Sequence, residues 1–413
     1  MKVSQFRFLR QWPSSHRLLA CCFGLAALLI GPTLVSTEAA AQVKCLPSEV
    51  SNTIPLQSCL NRLQQEVPGV QAAIFGTQNL AMQSTQIIVD RATELRAVQQ
   101  GGSGQAFASA ANPTAAYAKA GPVYKAKVAE PAPEPSWRPA AWFRAFGDYE
   151  RRNETFTLAP GGVPLAVVDS YRQRSGGVMG GFDTVISRLT SANDGLILGV
   201  SGGYLSSTIE VAGGRNRLSG PTLGAYGTYI KGAWFTDLIG KVDFLSFDSS
   251  IVGLPLTADV RNSSLLWDLG YKFDLPNKYY IEPVVGLEYV RTDISNQAIV
   301  AGAFTALEDA HLLRSRFGAR FGTEWVSNNI RIEPSATLLG YYFMEATGPT
   351  ISLGAAGGTI VLPTDQHKFR GELQASINAF NLTTGWSGFV RGDLRFGDNV
   401  TGGGGKVGIR YQW

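Results

Sequence analysis

The sequence predicts an all-β membrane protein: a 12-stranded antiparallel transmembrane β-barrel preceded by a short helical and flexible N-terminal region. Three observations predict it. After Trp137, long segments alternate apolar with polar or small residues at period two, and many outrun the usual soluble strand of about five or six residues. Aromatic residues stand at the segment ends (Trp234, Tyr279 and Tyr280, Tyr289, Tyr341 and Tyr342, Trp386), as interfacial girdles require. The connections also alternate, short on one side and longer on the other, which is the pattern of barrels with tight periplasmic turns and extended outer loops.

Composition sets the frame. The chain has 413 residues, 45% hydrophobic and only 16% charged, too few charges for a charge-rich disordered chain and fewer than the quarter typical of globular domains. The net charge is +4, of which Lys2, Arg7, Arg10 and Arg17 against Glu38 supply +3, leaving about +1 for the rest. That balance gives no electrostatic case for a nucleic-acid partner. Residues 137–413 hold 39 of the 47 glycines and 35 of the 43 aromatic residues, so the chain has two composition regimes.

Residues 1–41 read as a secretory signal peptide. Four basic residues precede an uncharged run from Leu18 to Ile30, and Ala39-Ala40-Ala41 supplies small residues before a cut ahead of Gln42. The run is too short for a transmembrane helix of about 20 residues. Leu18-Leu19-Ala20-Cys21 looks like a lipoprotein acylation site but opens the apolar run instead of following it. Export through the Sec translocon is the expectation. In an oxidising compartment Cys45 and Cys59 can pair as a disulfide, with free thiols the other reading; two cysteines without a nearby histidine do not make a zinc site.

Residues 42–120 read as a short helical and flexible pre-barrel region. Leu80, Ile87, Ile88, Ala92, Leu95 and Val98 recur near a 3.6-residue period within a stretch, 46–100, expected to be mostly helix, as a small hairpin or coiled segment. Residues 101–120 are rich in Ala, Gly and Ser. Residues 121–139, with Pro122, Pro131, Pro133, Pro135 and Pro139, form a stiff linker.

The barrel is expected over 140–413, in segments starting near 140, 176, 195, 217, 234, 260, 279, 308, 329, 367, 385 and 405. Tight turns are read at Gly232-Ala233, 275–278, 327–329 and 382–384, and longer loops at 153–175, 292–307 and 346–366. Alternation alone also fits a soluble sandwich; strand length, aromatic placement and loop alternation favour the membrane. In hydrocarbon every backbone group needs an internal partner, so strands must close into a ring. The uncharged faces then meet outer-membrane lipid. Glu282, Glu288, Arg314, Arg316, Arg320, Glu324, Arg370, Glu372, Arg391, Asp393 and Arg395 face the lumen, where Glu333 joins them in a cross-strand charge lattice.

The last strand ends Lys406-Val407-Gly408-Ile409-Arg410-Tyr411-Gln412-Trp413. Lys406, Gly408, Tyr411 and Trp413 resemble the outer-membrane assembly signal, which implies capture by the barrel assembly machinery through β-pairing. With this ending, residues 137–413 resemble the autotransporter β-domain family of type V secretion. The marks are Trp142-Phe143-Arg144-Ala145-Phe146-Gly147, Gly176 to Asp183, Tyr280-Ile281-Glu282-Pro283 through Tyr289, and Arg314 to Gly322. The resemblance implies a twelve-stranded translocator in the bacterial outer membrane that passes or displays an N-terminal segment, often with a helix left in its lumen. The chain departs from the pattern in having only about 95 residues before the barrel and a Pro-rich linker where a helix is expected. A porin-like or structural surface barrel with a periplasmic N-terminal domain is the alternative. For either, the expected partners are outer-membrane lipid and, during biogenesis, the barrel assembly machinery and the Sec translocon, with the barrel a monomer.

Catalysis is not expected. His367 near Asp365 and His311 near Asp309 are polar-loop neighbours more simply read as solvated than as acid–base dyads. Gly-x-Ser-x-Gly and Gly-Asp-Ser-Leu boxes are absent, and Gly402 to Lys406 fails as a phosphate loop because Val400 and Val407 stand at required positions. Arg391-Gly392-Asp393 lies inside a strand, unsuited to adhesion. No cofactor or metal is called for.

Overall fold

A computed structural model describes residues 55–100, 136–158, 165–191, 194–251, 254–299, 305–307, 309–347, 350–353, 359–361 and 369–413. The signal peptide, Cys45, most of the Pro-rich linker and the Asp365/His367 pair lie outside the described residues, as does the side chain of Cys59. Among the described residues one α-helix, α1 (Pro55–Gln100), precedes twelve long strands. These are β1 (Ser136–Leu158), β2 (Leu165–Ser187), β3 (Asp194–Val211), β4 (Gly214–Lys231), β5 (Trp234–Ile251) and β6 (Leu254–Tyr271). They continue as β7 (Tyr279–Ile299), β8 (Ala310–Thr323), β9 (Ile330–Ala346), β10 (Phe369–Asn381), β11 (Trp386–Gly397) and β12 (Val400–Gln412).

Each strand pairs antiparallel with its sequence neighbours, and β12 returns to β1 in register from Ala140↔Gln412 to Arg152↔Val400. The fold is therefore a closed 12-stranded antiparallel barrel, with no free edge in the ring. Among the described residues no helix is long and apolar enough to cross a membrane. Strands do the crossing, and their outward positions are apolar: Val200, Leu223, Val285, Leu338, Ile377 and Val390 are all more than half exposed.

The expected loop asymmetry holds only in part. The segment 153–175, read as a loop, is the paired continuation of β1 and β2, which stay in register to Leu158↔Leu165. Tight turns occur at both rims: Ala212-Gly213 and Asp398-Asn399 are as short as Gly232-Ala233. The reason is compositional. In β1 and β2 the sequence breaks period two, with a polar run Arg151-Arg152-Asn153-Glu154 and an apolar run Leu165-Ala166-Val167-Val168, while the hydrogen-bond ladder continues. Only the β7–β8 and β9–β10 connections are long, and their short strands Thr305–Leu307, Thr350–Leu353 and Thr359–Val361 make a separate three-stranded sheet. At the β8–β9 hairpin, Asn328 and Asn329 both take positive φ (48° and 63°), the conformation a mirror-image two-residue turn demands.

The aromatic girdle also needs correction. Trp234, Tyr279, Tyr342 and Trp386 face outward, but Tyr280 and Tyr341 are 4% and 3% exposed and point inward, to Glu333 at 2.6 Å and Glu372 at 2.8 Å. Adjacent strand residues take opposite faces, so a Tyr-Tyr pair can lend only one ring to the lipid side. At the rim where the chain ends, Trp386 and Tyr411 lie 5.0 Å apart, and Trp413 continues the row.

The helix expected within 46–100 is present, and its setting is what the sequence alone did not show. α1 is one helix of 46 residues, about 70 Å long at 1.5 Å per residue, and it lies inside the barrel. Over these residues it is a single helix and not a hairpin. It leans on β2–β7. From Val67 to Phe75 its side chains enter an apolar cluster with Val167, Ile209, Leu218, Phe247, Ile251 and Val260. Two glycines allow the close approach: a Cβ at Gly69 would fall 2.5 Å from Ile251, and one at Gly76 would fall 2.2 Å from Ile209.

Candidate functional site in the barrel lumen

The helix runs with a defined polarity. Gln64, near its start, donates to the Ala166 carbonyl at the beginning of β2. Gln99, near its end, reaches Ser187 at the finish of β2. The end of α1 therefore lies at the rim where β1 begins and β12 finishes, here the near rim. Its start lies toward the opposite, far rim.

Polar and charged residues fix the helix in between. Arg91 grips Asp183 of β2 through two hydrogen bonds, Nε–Oδ2 at 2.7 Å and Nη2–Oδ1 at 2.8 Å, and both side chains are fully buried. Tyr226 donates to the same carboxylate at 2.8 Å and accepts from Trp142 at 3.0 Å. Glu94 accepts from Arg91 at 3.0 Å and pairs with Arg144 of β1, while Ser387 of β11 donates to its second oxygen at 3.3 Å. Arg96 pairs with Asp237 of β5 and, at 3.1 Å, with Glu282 of β7, and its guanidinium lies 3.7 Å above the Phe235 ring. Asp90 completes the set with Arg391 of β11 and Lys406 of β12, the latter at 3.3 Å.

A fork of N–H donors against a carboxylate is strong only where water is excluded and remaining valences are filled. Burial of both Arg91 and Asp183 meets that condition. Toward the far rim the helix side of the contacts becomes neutral: Gln83 donates to the Asp148 carboxylate at 2.6 Å, Asn79 to Gln173 at 2.8 Å, and the Gly69 carbonyl accepts from Asn216 at 3.0 Å.

The charged residues read from the sequence lie on the inner face. Glu282, Glu288, Arg314, Arg316, Arg320, Glu372, Arg391 and Asp393 are each at most 8% exposed, and Glu324, Arg370 and Arg395 are partly buried. Several pair with opposite charges on other strands, unevenly around the ring. Arg314 pairs with Glu288 at 2.6 Å, Arg320 with Glu282 at 3.0 Å, and Arg316 with Asp268 at 3.5 Å. Glu324 lies 3.9 Å from Arg331 near the β8–β9 turn. The inner face of β3–β6 is instead largely apolar against α1. A polar cleft remains on the other side of the helix, where Gln83, Asp148, Arg370, Glu372, Arg395 and Lys406 face one another.

Glycine shapes the seam where the ring closes. Arg395 of β11 crosses over Gly402 and Gly404 of β12 to reach Asp148 and Glu150 of β1, the latter at 3.4 Å. Phe389 of β11 and Arg144 of β1 meet across Gly408, guanidinium 4.2 Å from the ring, where a Cβ would fall 2.3 Å from Phe389. In the terminal strand Lys406 and Gly408 face the lumen, while Val407, Ile409, Tyr411 and Trp413 are exposed to the lipid side.

Sequence reasoning missed Asp90, Arg91, Glu94 and Arg96 and their partners Arg144, Asp183 and Asp237. A signal existed. Between Glu66 and Asp90 the helix carries no charged residue, and then four arrive within seven positions. A helix so poor in charge on every face is a buried one.

With the helix-filled, closed barrel established, the family is decided by a direct match: the autotransporter beta-domain profile aligns with residues 141–393. The chain belongs to the autotransporter β-domain family. Among solved structures, the β-domain of the Bordetella autotransporter BrkA is similar with a TM-score of 0.51 and 19% identity, over 66% of this chain and 98% of that one. The transport unit of AIDA-I from Escherichia coli gives 0.45 and 14% over 66% and 90%, and the NalP translocator domain from Neisseria meningitidis gives 0.45 and 13% over 65% and 88%. No curated protein matches the sequence. Autotransporter β-domains are translocator barrels of the outer membrane, and this barrel has that architecture.

His311, weighed for catalysis beside Asp309, bonds instead to Glu345 at 3.1 Å and to the Thr347 hydroxyl at 3.3 Å on the outer side of the barrel. Among the described residues no cluster of His, Cys, Asp and Glu suits a metal.

Proposed function

We propose that the barrel translocates its own N-terminal segment and holds it at the cell surface, with α1 retained as a plug. The polarity of α1 carries this reading. The helix enters the described structure toward the far rim and finishes at the near rim, where β1 starts. In autotransporter barrels the strand termini face the periplasm, so residues before Pro55 would emerge outside. The twelve strands supply the anchor, and the role is non-catalytic. The Sec translocon would export the chain, and the barrel assembly machinery would capture β12 through its exposed backbone and the outward row ending at Trp413. One copy closes its own ring, so the barrel needs no partner subunit.

A porin-like channel is disfavoured by the ion pairs that fix α1 across the lumen. The test places an epitope tag after Gln42 and exposes intact cells to protease. The tag is expected to be lost from intact cells. A tag cleaved only after the outer membrane is permeabilised would overturn surface display.

A further inference from the structure

Outward arginines gather toward the far rim over β1–β4. Arg151, Arg172, Arg174, Arg215 and Arg217 are all exposed. The pairing arranges them in two ranks. In one, Arg151 stands opposite Arg172, Arg172 opposite Glu210, and Glu210 opposite Arg215. In the other, Arg174 stands opposite Thr208, Thr208 opposite Arg217, and Arg217 opposite Asp248 of β5.

Five cations thus share this face with two carboxylates among the described residues. One ion pair forms within it, Arg174 to Glu210 at 3.2 Å. The neighbouring wall is different. On β6–β9 Arg261 and Arg291 both reach Asp293, at 2.8 and 2.7 Å, and His311 reaches Glu345 at 3.1 Å. Like charges directly opposed across a strand pair, as Arg151 and Arg172 are, weaken an isolated sheet. The arrangement becomes favourable when an anion lies between them.

Its height identifies the anion. Immediately nearer the mid-plane on the same outward face, Val178, Tyr204 and Leu223 are 43%, 53% and 59% exposed and begin the apolar band. Arg174 stands four residues above Val178 and Arg217 six above Leu223, roughly 13 and 20 Å along strands rising about 3.3 Å per residue. With strands tilted about 40°, these rises are about 10 and 15 Å in height, which puts the guanidinium groups above the apolar band on the headgroup side. The planar guanidinium fork matches phosphate oxygens.

We propose that this face of β1–β4 binds the phosphate-bearing headgroup of an anionic lipid in the leaflet around the far rim. Only the identity of that leaflet rests on the proposed function. Binding itself is independent of orientation, so its failure is distinguishable from failure of surface display.

The test uses the full folded chain in non-ionic detergent, titrated with phosphatidylglycerol or phosphatidylcholine and read by native mass spectrometry. Phosphatidylglycerol is expected to be retained preferentially. Each arginine among Arg172→Gln, Arg174→Gln, Arg215→Gln and Arg217→Gln is expected to lower its affinity about fivefold, the equivalent of about 1 kcal/mol per basic residue near an anionic surface. The corresponding Lys variants should keep most of the retention. Arg261→Gln with Arg291→Gln, on the neutralised wall, should change nothing. If the fourfold Gln variant loses the heat-shifted migration of a folded barrel, the two double variants (172 with 174, 215 with 217) are read instead. Equal retention of both lipids, or Gln variants that bind like the parent, would overturn the proposal. So would complete displacement by inorganic phosphate, which would mark a site for small anions.

Discussion

At the residue scale, the lumen depends on pairs that tolerate no half measure. Arg91 and Asp183 are both fully buried and satisfy one another through two hydrogen bonds. Arg91→Ala would leave Asp183 with the Tyr226 hydroxyl alone, and breaking a buried pair in this way costs about 3–5 kcal/mol. The expected outcome is a lower temperature for the gel-mobility shift of the folded barrel. Arg91→Met with Asp183→Leu should recover most of the loss, because two well-packed apolar side chains leave no orphaned charge. An unchanged single variant would contradict the packing described for this pair. The barrel half of such pairs was legible: Glu282, Arg320 and Arg391 alternate with apolar neighbours, and parity alone puts them inside. Their partners on α1 were not. Periodicity says which face a residue takes but not which element covers that face, so Arg91 gave no hint of Asp183 far along the chain.

At the element scale, α1 shows how a sequence can state a helix and conceal its setting. The 3.6-residue period around Leu80, Ile87, Ile88 and Leu95 announces the helix. The same residues would suit a hairpin, because nothing local says that the opposing surface is the inside of a barrel. Gly69 and Gly76, ordinarily weak points in a helix, are here the places where it touches Ile251 and Ile209 most closely. Strand ends were misjudged for a related reason: in the extensions of β1 and β2 polar and apolar residues come in runs, Arg151 to Glu154 and Leu165 to Val168, so the alternation that marks a strand is lost and the stretch reads as a loop. If α1 closes the lumen, removing it opens one. Deleting residues 55–100 is expected to convert a barrel of small, infrequent conductance into a stable open pore in planar bilayers, several-fold more conductive than the parent. Equal conductance would mean that the walls close without the helix.

At the scale of the whole molecule, the closed ring, the buried plug and the outward apolar band were foreseeable in unequal degree. Strand number, closure and membrane class followed from alternation and from the demand that every backbone group in hydrocarbon find a partner. The plug depends on contacts between segments far apart in sequence. The outward row of Val407, Ile409, Tyr411 and Trp413 is the last part of the ring to be synthesised. Trp413→Asp places a charge where the apolar girdle ends and is expected to reduce the outer-membrane yield several-fold, measured by surface fractionation; undiminished yield would separate the terminal aromatic from assembly. The seam carries a further implication, which concerns time. Asp90 is held by Arg391 of β11 and Lys406 of β12, and Glu94 by Arg144 of β1, so the helix is tied to strands on either side of the closing junction. A ring already shut would oblige Arg91 and Arg96 to be dragged past its whole charged interior. Strands that meet around a helix already in place avoid that journey: the lock is built around its key, and the final join is also the moment of capture.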